Sequence, residues 1–231
     1  MFKTRSLKLE RLDTGDYTAE EYERFLTEIA FINRRIGDER AVRETLLREI
    51  EKANLQNFSV LDVGAGSGEL LRVVAEFARK QHRKTKLCGL ELNARSARAI
   101  RENSTDFAEI EAVRADAFSL PFADASLDYA MCSLFTHHFT DENVVKILSE
   151  MRRVASRKIF VIDLERSVAA YGLFKIFCRI NRLSRLVRED GSLSVRRGFK
   201  ASELETLGRA ASLKNFSVRK IAPYRLVLEG Q

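Results

Sequence analysis

The sequence predicts an α/β fold: a doubly wound, mostly parallel sheet of seven strands, preceded by a helical cap. Three observations carry this. From residue 58 onward, short apolar runs of strand length alternate with segments of helical period. The first run, Val60-Leu61-Asp62-Val63, breaks into the glycines Gly64, Gly66 and Gly68 and enters a helix at Glu69. Before that run, apolar residues recur at helical spacing, without strand-like alternation.

Taken in order, Thr18-Ala-Glu-Glu21 reads as a capping box. It starts a helix whose apolar positions are Tyr22, Phe25, Leu26, Ile29 and Ile32 or Ile36. A second helix spans about 38–52, with Val42, Leu46, Leu47 and Ile50 inward. Strand and helix then alternate: strand 58–63, helix 68–80, strand 85–91, helix 94–103, strands 109–114 and 127–133, helix 141–153 and strand 157–163. A basic amphipathic helix is expected near 167–188 and another helix near 201–211, followed by closing strands at 215–221 and 224–229. This divides the chain into a helical cap, residues 1–54, and a sheet domain, 55–231. With two prolines and no Pro/Gly/Ser-rich linker, a detachable second domain is not expected.

At 231 residues the chain is long enough for one full core. No apolar stretch reaches the ~20 residues of a membrane-spanning helix. The Met-Phe-Lys-Thr-Arg-Ser start lacks the apolar block of a secretion signal. The three cysteines show no metal spacing, and Cys88 and Cys132 fall in strands, as reduced core thiols of a cytoplasmic protein would. No metal site is expected.

The glycine loop narrows the ligand. Glycines there let a backbone approach a ligand closely. The dinucleotide fingerprint G-x-G-x-x-G would need glycine at position 69, where this chain has Glu69. A carboxylate at a helix start is a poor host for pyrophosphate, which needs bare amides and the positive dipole end. A cationic cofactor without phosphate suits the loop better, and a dehydrogenase is disfavoured. Glu91 ends the second strand, 23 residues after Gly68, where an acid can accept both ribose hydroxyls. Arg114-Ala-Asp-Ala117 places Asp116 beside the same crevice, and Pro121-Phe-Ala-Asp-Ala-Ser-Leu-Asp-Tyr-Ala-Met-Cys-Ser133 leads into the fourth strand.

This ordered set, from Phe58 to about Asp163, resembles the class I S-adenosylmethionine-dependent methyltransferases. The resemblance implies a Rossmann-like sheet of order 3-2-1-4-5-7-6 with the last strand antiparallel, and S-adenosylmethionine as cofactor. Gly64, Ala65, Gly66 and Gly68 would pass beside its methionine part, and Asp62 would hold the ammonium directly or through water. Glu91 would take the ribose hydroxyls, and Leu92 would lie against the adenine. Asp116 would accept the adenine amino group, with the Ala117 amide beside it. Ser133 and Leu134 would face the methyl-donor region. Other readings stand beside these: Leu92 and Leu134 as plain core, Asp62 as a pin for the loop.

Thr136-His137-His138-Phe139 follows the fourth strand and offers acid/base chemistry. Methyl transfer from a sulfonium needs the acceptor held close and water excluded, and a hydroxyl acceptor must also lose a proton. Imidazole titrates near neutrality, so His137 or His138 is a candidate base. Either could instead order the loop and cap the next helix. His82, in a basic loop, reads as solvated.

The charge of +7 is concentrated. Residues 166–200 hold nine Lys/Arg against two acids, and the rest of the chain is balanced. Lys175, Arg179, Arg182, Arg185 and Arg188 step at helical intervals, with Tyr171, Phe174, Phe177, Leu183 and Leu186 on another face. Such a helix can rest on an anionic membrane, so 171–188 is a candidate peripheral contact; a solvated stripe over a core-packed helix is the plainer reading. In the 32–35 turn, Arg34 or Arg35 could reach the cofactor carboxylate. Glu10-Arg-Leu-Asp13, Ile32-Asn-Arg34 and the segment Asp190 to Phe199 together resemble bacterial methyltransferases found beside type III polyketide synthases. That implies a small phenolic or lipophilic acceptor, methylated on oxygen first and on carbon second. An RNA or protein methyltransferase is the rival suggested by the pI of about 9.4. Ser133-Leu-Phe-Thr136 stands where amino-group methylases keep an Asn-Pro-Pro-Tyr-like tetrapeptide, which counts against nucleic acid as partner. A non-catalytic partner that keeps the fold is the other rival. The sequence points to no particular oligomeric state.

Overall fold

The computed structural model describes residues 2–231; the side chain of Arg34, and with it the expectation placed on that residue, lies outside what is described. Seven strands form one sheet: β1 (Asn57–Val63), β2 (Lys84–Glu91), β3 (Ile110–Arg114), β4 (Leu127–Ser133), β5 (Ala155–Leu164), β6 (Ser217–Ile221) and β7 (Arg225–Gly230). Their order is β3-β2-β1-β4-β5-β7-β6. The first five pair in parallel, and β7 runs antiparallel to both β5 and β6. The order reverses between β1 and β4, so a crevice opens at the carboxyl ends of these two strands.

The helices packed along the sheet include α5 (Glu69–Lys80), α6 (Ala94–Asn103), α7 (Asp141–Val154) and α10 (Ala201–Ala210). Side chains alternate along β1. Phe58 and Val60 join a core with α5, while Leu61 and Val63 join one on the opposite face with α7 and α10. Before β1, α3 (Asp38–Val42), a π-helical stretch (Arg43–Leu47) and α4 (Arg48–Lys52) run on without a break. Val42, Leu46, Leu47 and Ile50 are buried and belong to the α5-side core, so this run is built into the sheet domain.

The layer over the strand ends comes from elsewhere. It consists of α2 (Ala19–Arg35), α8 (Val168–Ile180) and α9 (Arg185–Arg197), with a short α1 (Arg11–Thr14) ahead of them. Thr18 and Glu21 form the expected capping box of α2. Ile32, Cys178, Leu183 and Val187 form a third apolar cluster that joins α2, α8 and α9.

The single basic helix expected at 167–188 is two helices. The chain turns after Ile180, Arg182 takes a left-handed φ of 49°, and Ser184 caps α9 by accepting from the Val187 amide at 3.3 Å. The Glu28 carboxylate accepts from the Ser184 amide at 3.0 Å and pins the turn to α2. Lys175 and Arg179 therefore lie on α8, Arg182 in the turn, and Arg185 and Arg188 on α9. The basic positions do not form one continuous helical stripe. Among the described residues, no helix is long and apolar enough to cross a membrane.

Candidate active site

The glycine loop leans over the end of β2. Gly64 N and Ala65 N both donate to the Leu90 carbonyl, at 2.9 and 3.3 Å. The next free amide, Gly66 N, donates to Glu91 Oε1 at 2.7 Å. Gly64 has a φ of 73°, and a Cβ there would meet the Phe135 ring at 2.4 Å, so only glycine lets the loop pass the turn after β4. Gly66 has a φ of 59° and open space where a Cβ would stand.

Asp62 is buried beneath this loop, and its Oδ1 finds no hydrogen-bond partner. Burial pushes its carboxyl up to about 8, with Glu91 and Glu69 adding repulsion. Burial also lifts Glu91 to about 7, against the pull of the amides of Gly66, Leu92 and Asn93. Two carboxyls held this far above their usual range lack a cation. The orphaned Asp62 oxygen, the open space at Gly66 and the Glu91 carboxylate are what an ammonium-bearing nucleoside requires, and the residues fit such a ligand.

These groups line one end of a cavity of about 950 Å³. Tyr17, Tyr22 and Ser96 close that end, with the Tyr22 hydroxyl 2.6 Å from Ser96 Oγ. Leu92 is 64 % exposed at its edge, free to lie against a flat ring. The other end is apolar, walled by Phe25, Ile29 and Ile36 of α2 and its turn and by Leu173, Phe174 and Phe177 of α8.

Between the two ends stands the turn after β4. Leu134 has a left-handed φ of 51°, and Thr136–His138 forms one turn of 3-10 helix. Strain of this kind collects at functional sites. Asp163, at the end of β5, accepts from Thr136 Oγ1 at 2.6 Å, from the His137 amide at 3.0 Å and pairs with His137 Nδ1 at 2.7 Å. Burial raises Asp163, but His137 and the hydrogen bonds from Thr136 and Leu164 outweigh it and hold the carboxyl at about 2. An ionised Asp163 makes Nδ1 the donor, which leaves Nε2 of the buried His137 without a partner. His138 Nδ1 pairs with Asp13 Oδ1 at 2.8 Å. Glu10 lies 3.9 Å from each imidazole, and burial lifts its carboxyl to about 7 against the attraction of His138 and Arg197.

The turn is held from outside. Arg197 of α9 donates to the His137 carbonyl at 3.1 Å and the His138 carbonyl at 2.5 Å, and also binds Asp13. Arg5 donates to the Phe139 carbonyl at 3.0 Å. Asp190 accepts from the amides of Arg11 and Leu12, at 3.0 and 3.1 Å, and fixes α1. Residues 10–13 and 190–197 thus meet at the two histidines.

Of the expected site residues, Asp62, Gly64, Ala65, Gly66, Glu91, Leu92, Ser133, Leu134, His137 and His138 line the cavity. Gly68 is not among the lining residues; it has a φ of 82° and begins α5. Asp116 and Ala117 do not line it either. Asp116 is exposed and its Oδ1 accepts from the Phe118 amide at 2.9 Å, while Ala117 is buried in the α7-side core. Asp163, Arg5 and Arg197 escaped the sequence reading. The only signal for Asp163 was an acid at the end of a buried apolar strand.

The sequence family described as "Methyltransferase domain" matches residues 60–158. The ubiquinone/menaquinone biosynthesis C-methyltransferase UbiE of Rickettsia prowazekii (strain Madrid E) is 28 % identical over 145 residues, covering 62 % of this chain and 56 % of that protein. This chain spans about half the length of the curated relatives it matches. Among solved structures, a SAM-dependent methyltransferase from Aquifex aeolicus superimposes with a TM-score of 0.64 at 17 % identity, covering 89 % of this chain and 97 % of that one. Human N-acetylserotonin methyltransferase in complex with SAM gives 0.65 at 14 %, covering 98 % and 63 %. Residues 60–158 thus match a methyltransferase-domain family, and the sheet as a whole has the class I S-adenosylmethionine-dependent methyltransferase fold.

Proposed function

We propose that this protein moves a methyl group from S-adenosylmethionine to the oxygen of a small lipophilic phenol. The observation that carries the reading is the unpartnered Nε2 of His137, oriented by Asp163 and standing between the polar and apolar ends of one cavity. S-adenosylmethionine supplies an electrophilic methyl on a sulfonium. Asp62 holds the ammonium, Glu91 takes the ribose hydroxyls and Leu92 lies against the adenine. The glycine loop of Gly64, Ala65, Gly66 and Gly68 covers the methionine part. Asp116, outside the cavity lining, is left to a solvent-side contact with the adenine amino group, beside Ala117.

The acceptor sits against α2 and α8 with its hydroxyl at His137 and His138. There His137 Nε2 takes the O–H proton, and the oxygen's electron pair forms the new bond to carbon as the bond to sulfur breaks. Enclosure by the two helices keeps water from competing. Methylation of a ring carbon is the second reading, favoured by the likeness to UbiE, and it needs the same phenolate.

Leu173, Ile176 and Ile180 line the cavity and are also exposed, so α8 forms its mouth. A lipophilic acceptor would enter here. Beside Lys175 and Arg179, this face suits peripheral contact with anionic lipid. Vesicle co-sedimentation that survives Ile176→Asp together with Ile180→Asp would remove that contact.

The donor assignment is tested at Glu91. Glu91→Ala is expected to weaken S-adenosylhomocysteine binding by ~1.5–3 kcal/mol, through loss of charged hydrogen bonds. Unchanged affinity in calorimetry would take Glu91 out of the site.

A further inference from the structure

We infer that Glu10, His137 and His138 form a divalent-metal site at the wall of the cavity, with a coordination position open to the acceptor. The inference rests on the acceptor placement proposed above and gives it a chemical mechanism. One ligand atom from each of the three residues lies within 4.8 Å of the others, and both Glu10 and His137 are buried. His137 Nε2 is buried and unpartnered, and His137 is one of the residues that line the cavity. Metal-bound histidines usually give their second ring nitrogen to a carboxylate, which fixes the ring and strengthens the ligand. His137 does so: Nδ1 pairs with Asp163 at 2.7 Å while Nε2 faces Glu10; His138 is held by Asp13, 2.8 Å from its Nδ1.

The surrounding charge agrees. Glu10, Asp13 and Asp163 adjoin the two imidazoles, and Arg197 binds Asp13 and lies 3.8 Å from Glu10. The other arginines nearby, Arg5, Arg11 and Arg225, have carboxylates of their own in Asp141, Glu21 and Asp38. An excess of carboxylate around two imidazoles suits a dication. Three protein ligands with an open position is the pattern of a catalytic rather than a structural site. With Nε2 committed to the metal, a phenol oxygen bound there would give up its proton to water, and at a lower pH, as metal-bound water does.

The test uses Co²⁺ added to chelator-treated full-length protein, read by its visible absorption and by calorimetry. One equivalent is expected to bind with d–d bands in the visible. His137→Ala and His138→Ala should abolish the bands. Asp163→Asn should weaken binding on the order of 10- to 100-fold. Circular dichroism of each variant checks folding, and His138, being half-buried, keeps the test open if His137→Ala does not fold. Absence of Co²⁺ binding at millimolar concentration, or binding that both histidine variants leave intact, overturns the inference. S-adenosylhomocysteine titrated into the same samples separates the two readings. Its binding without Co²⁺ binding leaves the donor site standing and removes the metal, whereas Glu91→Ala should lose the nucleoside and keep the cobalt.

Discussion

Arg225→Ala is expected to destabilise the protein by about 3–5 kcal/mol, the cost of leaving one buried charge without its partner. Arg225 Nε and Nη2 each donate to an Asp38 carboxylate oxygen at 2.7 Å, and both side chains are buried. Ser133 Oγ donates to the same carboxylate at 3.2 Å. The pair therefore joins α3, β7 and the end of β4 under the cavity floor. In a chain of this size the loss corresponds to a fall in melting temperature of roughly 6–20 °C. Asp38→Ala should do similar damage, and the double variant should be milder than the sum, because neither charge is then orphaned. A midpoint shift below about 1 kcal/mol in urea would mean the pair is not buried as described.

His137→Ala is expected to lower turnover by about 10²–10⁴-fold, the range for removing a group that handles the acceptor proton. Donor binding should hold within about threefold, since the ring stands between the two ends of the cavity rather than among the donor ligands. Asp163→Asn should lower turnover as well. It leaves a hydrogen bond to Nδ1 but not the ionised carboxylate that keeps Nε2 free. The readout is methyl transfer to extractable phenols at saturating donor, with binding measured in parallel. Full turnover in His137→Ala would return the histidine to a purely loop-ordering role.

The polar end of the cavity was legible because its residues are local. Asp62, Gly64, Gly66 and Glu91 lie on two adjacent parallel strands and the loop between strand and helix. Sequence spacing there translates directly into geometry through the β1–β2 register. The sheet order came with the resemblance, and the strand boundaries came from apolar runs set off by turns. The histidine turn and its surroundings were legible only in fragments. His137 and His138 stood out, but their partners come from distant parts of the chain: Glu10 and Asp13 from the N-terminus, Asp163 from β5, Arg197 from α9. No spacing rule links residues so far apart. The break between α8 and α9 was hidden because Leu183 and Leu186 keep a helical apolar period across it, while the stop comes from Ser184 as a cap and its tether to Glu28. Asp116 follows the third strand as its spacing indicated, but it stands outside the cavity lining. In the fold its side chain turns back to its own loop amide.

The central claim, that the polar end of the cavity takes a cationic nucleoside, is tested most directly by calorimetric titration of S-adenosylhomocysteine into the wild-type protein at pH 6 and pH 8. Burial lets Asp62 and Glu91 hold their protons up to about 8 and about 7. Between the ordinary carboxylate range and those values the folded protein binds more protons than the unfolded chain, so the empty protein loses stability as pH rises through that window. An ammonium set against Asp62 favours the ionised carboxylates and expels those protons. The account predicts one saturable site, proton release on binding, and affinity at least roughly tenfold tighter at pH 8 than at pH 6. No binding at either pH, or tighter binding at pH 6, would contradict it.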